Sequence, residues 1–372
     1  MKNWLPDIRG WRLRFQKSRR REIRFRILLV NLAWISRELH PRRVFRISRA
    51  RRREVRNVFV RLERDGIAGY GEASPNAFYG ETWEGVAAKL EIAREWLGTL
   101  EISASADIER AWEEGWKRVS PSRAAQCAID VALWDWLARR EGKSVAELLW
   151  NEKPRAVTSF CTIGLSTPEE LAEKIEELAG FPRIKIKSDA TASVETVARV
   201  RERSAAMIAV DANCAWSGLD IPALAAELAR LGVEFIEQPL PPGDDAHLPQ
   251  TCALPIFADE SCVTEPDVER VAERFDGFNI KLVKCGGLTP ARRMALRGRA
   301  LGCKLMAGCM LESSALIAAG AAIAQRTEFA DLDGAWLIAD DPFAGWHFER
   351  GILTPPQSAG LGVEPIEKLF PL

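Results

Sequence analysis

Three carboxylates and three lysines fall between residues 185 and 281 of the 372-residue chain, most of them closing a short apolar run. Asp211 ends Ile208-Ala209-Val210, Glu237 ends Phe235-Ile236, and Asp259 follows Ile256-Phe257-Ala258, at spacings of 26 and 22 residues. Three bare carboxylates brought together repel, and each is forced towards protonation. A hard divalent cation with oxygen ligands resolves this, and Mg²⁺ suits a few carboxylates completed by water and substrate oxygens. A solvated acid at a loop start explains one such residue, but not three in succession. In Arg183-Ile184-Lys185-Ile186-Lys187 the two lysines share one face of a strand. Neighbouring ammonium groups lower each other's pKa, which makes one usable as a base near neutral pH. Lys281, in Asn279-Ile280-Lys281, supplies a further amine four strands later. A carboxylate substrate on the metal then has an amine on either face of its α-carbon. One amine takes the α-proton, the metal stabilises the enediolate, and the other returns a proton to the opposite face.

Converging these groups requires strands that end at one place. From about residue 155, short apolar segments alternate with helical ones. Strands are expected at 157–163, 183–187, 207–211, 235–237, 256–259, 277–282, 304–307 and 329–332. Helices are expected at 168–179, 193–203, 221–231, 266–274, 289–301 and 314–325. Eight strands alternating with helices imply a parallel barrel, whose active site gathers at the C-terminal strand ends. No GxGxxG opens a helix, which argues against an open dinucleotide-binding sheet.

The first part of the chain has a different rhythm. Residues 28–70 alternate like antiparallel strands, with Asp65-Gly66 as a hairpin turn. Helices follow at 84–100, at 106–119 with Ser105 as N-cap, and at 121–140 with Ser120 as N-cap and Pro121 in the first position. The expected fold is α/β: a (β/α)7β TIM-like barrel with an N-terminal α+β capping domain, completed by the C-terminal tail. The expected division is a basic extension 1–27, capping domain 28–150, barrel 151–340 and a tail 341–372 that packs back on the cap.

Formal net charge is zero, so the whole chain has no general attraction to nucleic acid or membrane. Residues 1–27 carry ten bases against two acids, and the remainder holds 42 bases and 50 acids, a net of −8. The apolar run 27–35 is too short to span a bilayer. Eight cysteines without a CxxC pair read as free thiols of a reducing cytoplasm. His40, His247 and His347 occupy no expected strand end, which leaves serine or cysteine nucleophiles without a base.

The motifs KxK (185–187), Asp211-Ala212-Asn213, Glu237-Gln238-Pro239, Ala258-Asp259-Glu260-Ser261 and Asn279-Ile280-Lys281-Leu282-x-Lys284-x-Gly286-Gly287 together resemble the muconate-lactonizing-enzyme subgroup of the enolase superfamily, from about residue 28 to the end. The resemblance implies Lys187 and Lys281 as the acid/base pair, Lys185 as its tuner, Asp211, Glu237 and Asp259 as Mg²⁺ ligands, and Asn213 and Glu260 behind them. Members of this subgroup run cycloisomerisation, o-succinylbenzoate synthesis, N-acylamino-acid racemisation or dipeptide epimerisation on one template. Asp331 and Asp333, two carboxylates on one face of the eighth strand end, suit a substrate ammonium group. They resemble the DxD of dipeptide epimerases, as do Thr162-Ile163-Gly164 and the segment Cys309 to Ser314, which includes Met310. The implied reaction is epimerisation at the C-terminal residue of L-Ala-Xaa dipeptides, with L-Ala-D/L-Glu leading and cell-wall peptide turnover as its setting. The alternatives are N-succinylamino acid racemase, o-succinylbenzoate synthase, or an epimerase of hydrophobic or cationic dipeptides. Specificity is expected from capping loops 40–53 and 74–81. There Arg49 or Arg51 clamps an acidic side chain, and Tyr79 closes over the substrate. The expected partner is a small dipeptide, with assembly into a homo-oligomer left open.

Overall fold

A computed structural model describes residues 31–47, 50–189 and 193–370. The basic extension 1–27 and Arg49 lie outside the described residues.

The chain first forms an antiparallel sheet from Asn31–Leu39, Val55–Arg64 and Ile67–Ala73, with Val55–Arg64 in the centre. Asp65 and Gly66, at φ 56° and 76°, make the tight turn between the last two strands, where two left-handed residues match the strand twist. A short hairpin, Phe45–Ile47 with Ala50–Arg52, projects between the first two strands. Helices Trp83–Thr99, Ser105–Val119 and Arg123–Glu141 complete the cap. Two helix starts differ from expectation. Ser122, not Ser120, caps the third helix, accepting from the Ala125 N–H, and Pro121 precedes the helix instead of opening it. Ser105 is the first residue of its helix and Ala104 holds the cap position. There the Asp107 carboxylate reaches back to the N–H groups of Ser103 and Ala104 at 2.8 and 2.9 Å, the acidic half of a capping box with no hydroxyl at the cap itself.

The barrel strands are Cys161–Ile163, Arg183–Lys187, Met207–Asp211, Val233–Glu237, Ile256–Ala258, Gly277–Lys281, Lys304–Gly308 and Phe329–Asp331. All eight are parallel and pair in chain order. The ring closes through the Phe160 N–H on the Ala330 carbonyl (2.7 Å) and the Leu332 N–H on Ser159 Oγ (2.7 Å). The fold is thus a mixed α/β TIM-like barrel under a capping unit of strands and helices. Connecting helices fall within a few residues of the expected places: Pro168–Glu177, Ser193–Arg201, Ile221–Arg230, Asp267–Ala272, Leu288–Ala300 and Ser314–Ala324.

The period-2 alternation of strands explains how the barrel tolerates so much charge. Phe160, Ala209, Phe235, Phe257, Met306 and Phe329 form one buried interior cluster, with the Phe235 and Phe257 rings stacked at 4.3 Å. Two residues further along the respective strands come Asp211, Glu237, Asp259, Gly308 and Asp331. An apolar plug therefore fills the lower barrel, and the charged layer stands on it towards the C-terminal ends.

The tail returns to the cap. The Leu361 N–H reaches Asp135 at 2.6 Å, Arg139 donates to the Val363 carbonyl at 2.6 Å, and the Tyr70 ring packs on Phe343 and Phe370.

Candidate active site

Register places the chemistry. Lys187, Asp211 and Glu237 are paired neighbours on adjacent strands, as are Lys281, Gly308 and Asp331 across the barrel. Left-handed backbone at Asn213, Cys214 and Gln238 turns the chain sharply after the third and fourth strands, so the carboxylates before them remain at the mouth. Gln238 ties the next strand end in place: its Oε1 accepts from the N–H groups of Asp259 and Ser261 at 2.8 and 3.0 Å.

Asp211, Glu237 and Asp259 are buried, and their carboxylate oxygens lie within 4.8 Å of one another. Burial, then the Asp211 charge, pushes Glu237 up to about 7. Burial also works against the charge on Asp211, but Lys187 and Lys185 outweigh it and lower its pKa. Asp259 is lowered in the same way by Lys281 and Lys284. Oxygen-only donors, mutual repulsion and desolvation together fit a hard divalent cation.

Among the lysines, Lys187 Nζ donates to Asp211 Oδ2 at 2.5 Å and Lys281 Nζ to Asp259 Oδ2 at 2.6 Å. Lys185 is fully buried. Its ammonium lies 3.1 Å from Glu237 Oε2 and 3.6 Å from Asp211 Oδ2, and it pairs with Asp331. The expected mutual lowering does not hold for Lys185. Burial opposes its charge, but Asp331, Glu237 and Asp211 raise its pKa well above the ordinary lysine value. The sequence pattern showed the neighbouring lysine but not the three acids that converge on it.

Sequence reasoning left Asn279 and Lys284 without roles. Asn279 Nδ2 donates to Glu237 Oε1 at 2.7 Å. It stands two residues before Lys281 on the same strand, so the strand period alone could have marked it as facing inward. A Cβ at Gly308 would meet its amide oxygen at 2.3 Å, so only glycine leaves that amide room. Lys284 is buried and donates to Asp259 Oδ1 (2.6 Å) and to the carbonyls of Asp259 (2.5 Å), Cys262 (2.9 Å) and Asn279 (3.0 Å).

A cavity of about 630 Å³ opens above the lysines and runs under the cap. Thr162, Lys187, Asn213, Asp259, Glu260 and Lys281 line it. Asp331, Asp333, Met310 and Tyr79 do so as well. Asp333 accepts from the Thr162 N–H at 2.7 Å, and burial with the nearby Asp331 charge raises its pKa. Asp331 Oδ1 is buried without a hydrogen-bond partner among the described residues. From the capping hairpin Phe45 and its register partner Arg52 line the cavity, whereas Arg51, one position earlier, is exposed and outside the lining. On a strand, a shift of one residue reverses the side-chain direction. Cys309, the first residue of the segment 309–314 singled out in the sequence, also lines the cavity.

The sequence matches two family models: the mandelate racemase / muconate lactonizing enzyme N-terminal domain over residues 32–150 and the enolase C-terminal domain-like family over 169–369. An L-Ala-D/L-amino acid epimerase of Maribacter is 36% identical over 329 residues, 87% of this chain and 96% of that protein. The L-Ala-D/L-Glu epimerase of Escherichia coli is 38% identical over 302 residues, 80% and 91% of the two chains. Among solved structures, the dipeptide epimerase of Methylococcus capsulatus, complexed with Mg and the dipeptide L-Arg-D-Lys, superposes with a TM-score of 0.84 at 34% identity, covering 90% of this chain and 99% of that one.

Proposed function

This chain belongs to the enolase superfamily, in its mandelate racemase / muconate lactonizing enzyme branch, and from that membership and the site geometry we propose that it is a Mg²⁺-dependent dipeptide epimerase. It would invert the α-carbon of the C-terminal residue of L-Ala-Xaa dipeptides. The observation that carries this reading is the cavity itself. Lys187 and Lys281 share it with Asp331 and Asp333, two buried carboxylates against the one ammonium of Lys185, with Asp331 Oδ1 unpartnered among the described residues, a balance that takes a second positive charge. A free amino terminus supplies one, whereas an N-acyl substrate has no ammonium group to offer.

Asp211, Glu237 and Asp259 would hold the Mg²⁺ ion, which when bound draws electron density from the substrate carboxylate and so lowers the cost of negative charge at the neighbouring carbon. The chain's own residues do the rest. Neutral Lys187 Nζ takes the α-proton and becomes an ammonium, leaving the electron pair delocalised into the carboxylate. Lys281, starting as an ammonium, donates a proton to the opposite face and ends neutral. The reverse reaction exchanges these roles, so one site accepts both epimers. Lys185, held as a cation by Asp331 and Glu237, keeps positive charge beside the developing anion.

L-Ala-D/L-Glu is the leading substrate. Arg52, on the capping side of the cavity, would take a side-chain carboxylate as a bidentate pair. That substrate would assign the enzyme to turnover of cell-wall peptides in the cytoplasm. Among the described residues no helix is long and apolar enough to cross a membrane. A panel of L-Ala-Xaa dipeptides and N-succinylamino acids, assayed for epimerisation with Mg²⁺, tests the reading. Turnover is expected for dipeptides, highest with L-Ala-L-Glu. Turnover confined to N-succinylamino acids would overturn it in favour of a racemase.

A further inference from the structure

The seventh barrel strand ends at Gly308 and the next helix begins at Ser314. The five residues between, 309–313, lie outside any strand or helix, yet Cys309, Met310 and Leu311 form part of the cavity wall. A loop in that position has few partners within the barrel. Besides the Met310 N–H on Glu312 and the Ser313 cap of the following helix, its hydrogen bonds go to the capping sheet. Asn57 Nδ2 donates to the Leu311 carbonyl at 3.0 Å, and Ser74 Oγ reaches the same carbonyl at 3.5 Å. The Ser313 N–H donates to both Glu72 oxygens at 3.1 Å, and Ser313 Oγ donates to Glu72 Oε2 at 2.5 Å. Asn57 Nδ2 also donates to Glu72 Oε1 at 2.7 Å, which closes the network. Asn57, Glu72 and Ser313 are all buried.

The two cap strands that supply this network also build the opposite wall. Val55 and Arg56 precede Asn57 on one strand, residues 74–79 follow Glu72 on the other, and both groups line the cavity. This cluster of hydrogen bonds, with the Asn76 amide on Met310 Sδ at 3.8 Å beside it, joins the two walls. We infer that Glu72 and Asn57 are positioning residues, which clamp the segment 309–313 to the cap and thereby set the width of the substrate cavity. The inference rests on the dipeptide-binding reading only for what fills the cavity. The clamp itself is independent of it. Lys187 and Lys281 hang on barrel strands whose ladder does not pass through the cap, so the chief effect of the clamp is on substrate binding.

The test compares Glu72→Ala, Asn57→Ala and Glu72→Gln in the full-length protein. Hydrogen–deuterium exchange read by mass spectrometry reports the backbone of 309–313 without any substrate. Steady-state kinetics with L-Ala-L-Glu report KM and kcat separately. In both alanine variants, exchange over this segment should rise at least tenfold while barrel strands keep their protection. KM should rise at least fivefold with kcat within twofold of wild type. Glu72→Gln, of the same shape and with one acceptor oxygen left, should fold and lie between. If Glu72→Ala fails to fold, Asn57→Ala and Glu72→Gln carry the test. Unchanged exchange at 309–313 would overturn the clamp, and so would a fall in kcat at constant KM. A wild-type protein inactive on every dipeptide would sink the functional reading alone, since the exchange arm still judges the clamp.

Discussion

At the residue scale, the site balances buried charge. Lys284 offers its ammonium hydrogens to four buried oxygens, one on a proposed ligand carboxylate. Removing one partner of such a pair leaves an uncompensated charge, a loss of roughly 3–5 kcal/mol. Lys284→Met should therefore lower the urea midpoint steeply, and a midpoint within error of wild type would contradict this role. The lysine pair makes a sharper prediction. General acid–base groups contribute about 10²–10⁴-fold to rate, so Lys281→Ala should lose inversion by that order. It should still exchange the α-proton of the one epimer whose hydrogen faces Lys187, which proton NMR in D₂O detects. Equal exchange from both epimers would argue against a division of labour between two faces. These residues were the most legible in the sequence, because a charge at the end of an apolar strand has few structural excuses. The partners of Lys185 were less so, since Asp331 lies 146 residues away and only the closed barrel brings it near.

At the element scale, turns and registers decide which side chains reach the cavity. Gly308→Ala would press on the Asn279 amide, which steadies Glu237. The thermal shift given by saturating Mg²⁺ should shrink in this variant relative to wild type, and an unchanged shift would contradict the packing argument. Ser122→Ala removes the cap of the third helix and should cost about 1 kcal/mol in a denaturant melt, whereas Ser120→Ala should cost less. Barrel strands were readable because short apolar runs repeat eight times, six of them ending at or beside a charged residue. Helix starts were not, because Ser120 and Ser122 offer the same chemistry two residues apart and only the tertiary path selects one. The capping arginines were ambiguous for a related reason. Arg51, Arg52 and Arg53 are consecutive, and the side-chain direction that favours Arg52 follows from the hairpin register, which composition does not encode.

At the scale of the whole molecule, the seam between cap and barrel carries buried acids whose titration links stability to pH. Burial, then the Glu72 charge, raises Glu312 to about 8, with Lys281 as the opposing cation and the Met310 N–H as its hydrogen-bond donor. Burial raises Glu72 to about 7 against the donors Ser313 and Asn57. A carboxyl raised in the folded state is favoured there in its neutral form. That stabilising contribution is complete below the unfolded pKa near 4.5 and fades as pH rises through 7 to 8. Thermal melts should therefore show Glu312→Gln gaining on wild type between pH 5.5 and 9, and parallel curves would contradict the assignment. The most direct measurement of the central claim is isotopic. L-Ala-L-Glu incubated with the enzyme and Mg²⁺ in D₂O should acquire one deuterium, at the α-carbon of glutamate alone, in step with the appearance of L-Ala-D-Glu. Chelation of the metal or Lys187→Ala should stop both. Inversion without solvent deuterium, or full activity in Lys187→Ala, would contradict a proton transfer through the lysine pair.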